Sequence, residues 1–265
     1  KAQIHIKDWI TRIKNRIQAC DASNYLQFIQ QLLDQEFSLS STMNQRLALM
    51  LHYDLWDKSG PALEFSTLTQ SIKALNHPHL REELSELIPV LLNRIRHLQK
   101  PLTDLENVPL LLHARYTRDQ ILSAFAAHSF EQKITAREGV LGITEQNIEL
   151  LFVTLNKNPK LFSPTTMYHD YAISDTLFHW QSQNSARPDR GRGLSYLKQK
   201  DNGKRIFLFV REQSDDLYGN TMGYVNFGEV SYLKHEGSKP MNITWELHDA
   251  MPAFMWHEAA KLAVA

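Results

Sequence analysis

Cysteine is almost missing from this sequence: Cys20 is the only one in 265 residues. An intrachain disulfide and a cysteine-based zinc site are both excluded on that count alone. No apolar run is long enough to cross a bilayer as a helix, so no membrane partner is expected. Net charge is missing too, with 29 Lys and Arg against 29 Asp and Glu. The chain is therefore no polycation, and any contact with phosphate has to come from a local basic patch. The opening KAQIHIKDWI is alternating and charged and has no apolar signal core. A cytoplasmic location is expected. The chain starts on Lys1 and not Met, as a piece of a longer protein would. Catalytic signatures are absent as well. There is no phosphate-binding loop, no glycine-rich dinucleotide motif and no G-x-S-x-G elbow. His257-Glu258 lacks the second histidine of a zinc-protease helix, and Pro188-Asp189 lacks a following Glu-x-Lys. No cofactor and no enzymatic activity are expected of these residues by themselves.

What is present divides near residue 110. Before it, apolar residues recur at three- and four-residue spacings, as in Trp9, Ile13 and Ile17, or Tyr25, Phe28, Ile29, Leu32 and Leu33. Asp21 or Ser23 is placed to cap the second helix, and Ser41 or Thr42 the third. A shorter helix spans about 66–75, and another covers Arg81 to Leu98, with a kink or break expected at Pro89. Residues 1–110 read as a helical bundle. Beyond it, Thr117-Arg118-Asp119-Gln120 is a capping-box pattern that opens a helix to about Phe130. Strand signals then follow at 139–143, 148–155, 205–211, 224–232 and 241–247, with a short helix near 194–198 and a terminal one from Ala253. Strands this close together, without long helices between them, argue for a bent mixed or antiparallel sheet, or a partly closed barrel, over residues 111–265. The class is α+β.

One stretch stands apart. Residues 162–184 crowd Tyr168, His169, Asp170, Tyr171, Phe178, His179, Trp180, Gln181, Ser182, Gln183 and Asn184 together. Rings beside groups that both donate and accept hydrogen bonds suit a flat polar ligand such as a nucleobase. They equally suit a tightly packed turn region whose polar tips find internal partners. Just after it, Arg187, Arg190 and Arg192 alternate with Gly191 and Gly193, and Lys198, Lys200, Lys204 and Arg205 extend the positive run. This is either a solvated loop or a phosphate-contacting finger.

Several strings together resemble a known family: Arg115-Tyr116-Thr117-Arg118, Phe152 to Lys157, Phe162 to Thr166, Tyr168-His169-Asp170-Tyr171, Phe178 to Asn184, Phe209-Val210-Arg211, His235-Glu236-Gly237 and Ile243-Thr244-Trp245. They resemble a module at the C-terminal end of bacterial superfamily II helicase proteins, many of which also carry a phospholipase D-type nuclease. The similarity runs from about 110 to 250. The helical part resembles, more weakly, the segment that couples helicase to module. Some members are type IV restriction enzymes, which cut DNA only when it carries modified cytosine.

The resemblance implies a reader of 5-methyl- or 5-hydroxymethylcytosine in double-stranded DNA, similar to the SRA and PUA-like barrels that hold a flipped base. On that implication Asp170 accepts from cytosine N4, and Gln181, His169 or backbone N–H groups donate to the other edge atoms. Tyr168, Tyr171, Phe178 and Trp180 stack on the base or wall its methyl group. Arg187, Arg190, Arg192 and Lys198 hold the DNA backbone. ATP and Mg would belong to the helicase of the parent chain, whose helicase and nuclease domains would be the partners. Three alternatives stay open: a non-specific nucleic-acid module, a protein-interaction domain, and a metal-dependent hydrolase using His169 and Asp170.

Overall fold

The computed structural model describes residues 6–34, 39–135, 138–156 and 170–261. By packing, the chain forms two compact units. One holds Lys1–Ala136 with Asp215–Gly223, the other Arg137–Ser214 with Tyr224–Ala265. The class is α+β, with helices first and a large open mixed sheet after them.

In the first unit, α1 (Ile6–Arg12) runs on into a π-helical turn, Ile13–Ile17, and is followed by α2 (Ser23–Asp34), α3 (Thr42–Leu55), α4 (Leu68–Ile72), α5 (Pro78–Arg94) and α6 (Arg118–Ala124). A two-residue pair, β1 (Lys100–Pro101) with β2 (Leu111–Leu112), and the extended β3 (Arg115–Tyr116) lie between α5 and α6. Ser41 caps α3 by accepting the Asn44 N–H at 3.1 Å. At α2 the cap comes from elsewhere: the Ser23 N–H donates to Gln99 Oε1 at 3.0 Å, while Asp21 Oδ1 accepts the Arg115 N–H at 2.6 Å. Helix α5 passes through Pro89 without ending. Pro89 and Ser85, whose carbonyl loses its donor, are both exposed, so water can take the bond. Helix α6 stops at Ala124, short of Phe130, and Ala126 turns the chain away with φ 56°.

The capping box of α6 is fully formed, with Thr117 and Gln120 bonding reciprocally. Gln120 also reaches Asp54 on α3 at 2.7 Å, beside the Tyr25 hydroxyl at 2.6 Å. Burial pushes the Asp54 carboxyl up to about 6, against these two hydrogen bonds. Its neighbour Asp119 goes the other way: burial opposes ionisation, but His128, Lys133 and Arg16 outweigh it and hold the carboxyl far below its usual range. This packing of α6 on α3 groups residues 111–135 with the helices, whereas the sequence pattern draws the division at residue 110.

In the second unit, β4 (Val140–Ile143), β5 (Ile148–Thr154), β6 (Tyr171–Ala172), β7 (Leu177–Gln181), β8 (Arg205–Arg211), β9 (Tyr224–Glu236) and β10 (Asn242–Leu247) form one sheet in the order β4-β5-β8-β9-β10-β7-β6. All these pairs are antiparallel except β5 with β8. A parallel pair needs a long crossover. Here the crossover carries β6, β7, α7 (Gly191–Leu197) and α8 (Gln199–Asn202). The register of β9 slips once against β8, near Gly228 (φ 82°), and once against β10, at Thr244/Trp245. Such bulges bend a strand and increase its twist. One face carries a core cluster of Leu151, Val153, Leu208, Val210, Phe227, Ile243 and Trp245, closed by Met255 and Ala259 of α9 (Ala253–Lys261), while on β5 and β8 the other face is buried too, through Leu150, Phe152, Phe207 and Phe209. The sequence pattern assigns no strand to 162–184, yet β6 and β7 lie within it.

Candidate functional site

Strand β7 decides where the site is. Its residues alternate, with Phe178 and Trp180 buried and Leu177, His179 and Gln181 half-buried. Period-two geometry sends the two sets to opposite faces. Phe178 meets Phe227 edge-on at 6.2 Å. Trp180 packs at 5.6 Å from Tyr196 and 6.0 Å from Trp245. Both rings therefore sit in the core, the tightly packed arrangement that the sequence left open beside the ligand-stacking one.

On β6, β7, β10 and the end of β9 the face opposite the core is polar. Strand register sets Tyr171, His179, Thr244 and Lys234 in one cross-strand row, and Gln181, Asn242 and Glu236 in the next. The Tyr171 and His179 rings are stacked, 4.5 Å apart and 8° from parallel. Gln181 Nε2 donates to Asn242 Oδ1 at 3.3 Å. The two rows line a concavity of about 390 Å³, with Ile173 and His235 at its margin. Side chains of this kind offer a ring edge, amide donors and acceptors, an ammonium and a carboxylate within one hollow.

Asp170 is buried, and its Oδ1 accepts the Gln181 N–H at 2.9 Å. It ties the chain before β6 to the end of β7. Tyr168 and His169 lie outside the described residues. Among the described residues, no three His, Cys, Asp or Glu side chains come together as a metal site requires.

The basic loop is pinned at two of its arginines. Arg187 makes a two-point contact with Asp189, both distances 2.9 Å, and this hydrogen bonding lowers the Asp189 carboxyl. Arg192 Nε lies 3.2 Å from Glu149. Glu149 sits on β5, is buried, and also receives the Tyr196 hydroxyl at 2.7 Å and Lys204 Nζ at 2.9 Å. Burial and this carboxylate push the Tyr196 hydroxyl well up. Arg190 and Lys198 are exposed. The loop approaches α7 so closely that a Cβ on Gly193 would meet the Arg187 carbonyl oxygen at 2.1 Å. A second concavity, about 370 Å³, is lined by Arg187, Arg190, Arg192 and Gln183.

The sequence reading selects Tyr171 and Gln181 for the site, and the structure brings these two into one hollow. It gives no site role to His179, Lys234, Glu236, Asn242 or Thr244. The alternation within Leu177-Phe178-His179-Trp180-Gln181 was the available signal for His179. No local signal marks the others, because strand register brings them in.

No curated protein matches this sequence. Among solved structures, the chain is similar to Arabidopsis thaliana SUVH6, crystallised in complex with SAM, with a TM-score of 0.37 and 10% identity. That alignment covers 90% of this chain and 42% of the other, so the chain spans well under half of that structure. No helix among the described residues is long and apolar enough to cross a membrane. Residues 110–259 match the family described as a domain of unknown function, DUF3427. With more than half of its length matched, the chain belongs to the DUF3427 family.

Proposed function

We propose that this chain is a DNA-binding module that takes a modified cytosine, 5-methyl or 5-hydroxymethyl, out of the duplex and holds it in the hollow between the Tyr171–His179–Thr244–Lys234 row and the Gln181–Asn242–Glu236 row. The observation that carries the reading is this double row itself: a stacked ring pair and hydrogen-bonding groups on a face turned away from the core. Bases lifted from the stack are read by ring stacking and by hydrogen bonds to the Watson–Crick edge. A cytosine edge presents one amino donor and two acceptors, which Glu236 on one side and Asn242 or Lys234 on the other complement. Asp170 acts on this reading as the anchor that holds Gln181 in place.

Arg190 and Lys198 contact phosphate directly. Arg187 and Arg192 contribute where an incoming phosphate competes with Asp189 and Glu149. The chain is the specificity part of a larger helicase–nuclease protein of the type IV restriction kind. It has no catalytic activity of its own, and ATP and Mg act in the helicase. These assignments follow from the family resemblance together with the polar hollow.

The test is binding by fluorescence anisotropy to matched duplexes that carry cytosine, 5-methylcytosine or 5-hydroxymethylcytosine at one position. Tighter binding to one modified duplex, lost in His179→Ala and Asn242→Ala, is expected. Equal affinity for all three duplexes, unchanged by both substitutions, would overturn the proposal. Affinity for single strands alone would point instead to a module that stacks bases without reading them.

A further inference from the structure

The helical unit carries an apolar groove that the DNA-reading role does not use. It runs between α1 and α5, has a volume of about 460 Å³, and is floored by Trp9, Ile13 and Leu80. Trp9 is held there against the His77 ring, 4.6 Å away and nearly edge-on. Along the α1 side, Ile6 is 49% exposed and Ile10 55%, four residues apart and thus on one stripe of the helix. Along the α5 side the rim is acidic, with Glu82, Glu83 and Glu86 all exposed. An exposed apolar stripe beside a groove with a rim of one charge is a docking surface in search of a partner of opposite charge.

The molecule carries such a partner itself. The exposed side of the first helical stretch combines Ile6 and Ile10 with two lysines, Lys7 and Lys14, against a single carboxylate, Asp8. That is an amphipathic helix of net positive charge, the complement of an acidic, apolar groove. We infer that two copies of this chain pair through α1 and α5, each laying the Ile6–Ile10 stripe into the other's groove, with Lys7 of each copy against the Glu82–Glu86 rim of the other. The pairing is isologous, because the same patch supplies both stripe and groove, and it closes at two copies. A patch made of the short helix α1 and the first turns of α5 is small beside a standard interface, so the dimer is reversible and sensitive to salt.

The experiment is sedimentation velocity of the whole chain, from low micromolar to sub-millimolar concentration, at low and high salt. A monomer–dimer equilibrium that shifts toward monomer in high salt is expected. Ile10→Asp should abolish it, and so should Glu83→Lys. Lys7→Glu combined with Glu83→Lys should restore it, since the charges then meet in exchanged positions. Ile10, Lys7 and Glu83 are all exposed, so melting temperatures should stay near that of the parent chain, which separates lost pairing from lost folding. A monomer at every concentration overturns the inference and leaves the groove for another partner. A dimer indifferent to Ile10→Asp overturns it as well, and locates the contact elsewhere.

Discussion

The alternation of β7 can be tested by substituting neighbours. Trp180 is 4% exposed and lies against Tyr196 and Trp245. Replacing it by Ala empties a large core volume, at a cost of about 3–5 kcal/mol. At about 2–4 °C per kcal/mol for a chain of this size, the melting temperature should fall by roughly 6–20 °C. His179, one residue earlier, has its ring on the other face, where it stacks on Tyr171. Losing that stack costs about 0.5–1.5 kcal/mol, a shift of only a few degrees. Binding should respond in the reverse order. If His179 forms part of the platform for a base, its removal costs about 1–3 kcal/mol of affinity for modified duplex, or roughly 5- to 150-fold. Trp180→Ala protein that remains folded at low temperature should keep its preference among duplexes. The assay is thermal melting and duplex binding on the same two variants. A His179→Ala protein as destabilised as Trp180→Ala would refute the assignment of faces. So would a Trp180→Ala protein of unchanged stability that no longer prefers modified DNA.

Other outcomes follow from the same structure. Asp54 binds its proton more tightly in the folded chain, at about 6 against 3.8, so its contribution to stability is fully present below about pH 4 and is lost as pH rises through 6. Asp54→Asn should remove that loss, which urea midpoints between about pH 4 and pH 7 would reveal; an unchanged pH profile would rule out Asp54 as its source. Thr117→Ala breaks the capping box of α6 and should destabilise the helical unit by about 0.5–2 kcal/mol in denaturant unfolding. Arg190→Ala and Lys198→Ala should each weaken binding to every duplex alike and flatten the log–log salt slope by about one unit. A loss confined to modified DNA would show instead that these side chains reach the base.

The sequence by itself determined what depends on neighbours along the chain. Three- and four-residue spacing marked α2 and the stretch through Trp9, Ile13 and Ile17, because an apolar stripe of that period has only a helix to sit on. Ser41 and the Thr117–Gln120 pair announced two helix starts, since a cap is built from residues within one turn. Apolar runs located β5, β8 and β10, and the scarcity of cysteine and the balance of charge removed whole classes of function before any contact was known. Tertiary structure alone decided the rest. Whether Trp180 or His179 turns toward the core depends on which face of β7 finds the Trp245 cluster, 65 residues further along the chain (245 − 180). The hollow exists because β10 pairs with both β7 and β9, which sets Asn242 between Gln181 and Glu236. Arg192 looked like a free phosphate finger until β5 supplied Glu149 beside it. The Gln181 N–H, eleven residues on, reaches an oxygen of Asp170 only because β6 and β7 fold together. In each case the missing information was a partner distant in sequence, and backbone register and burial are what bring such partners together.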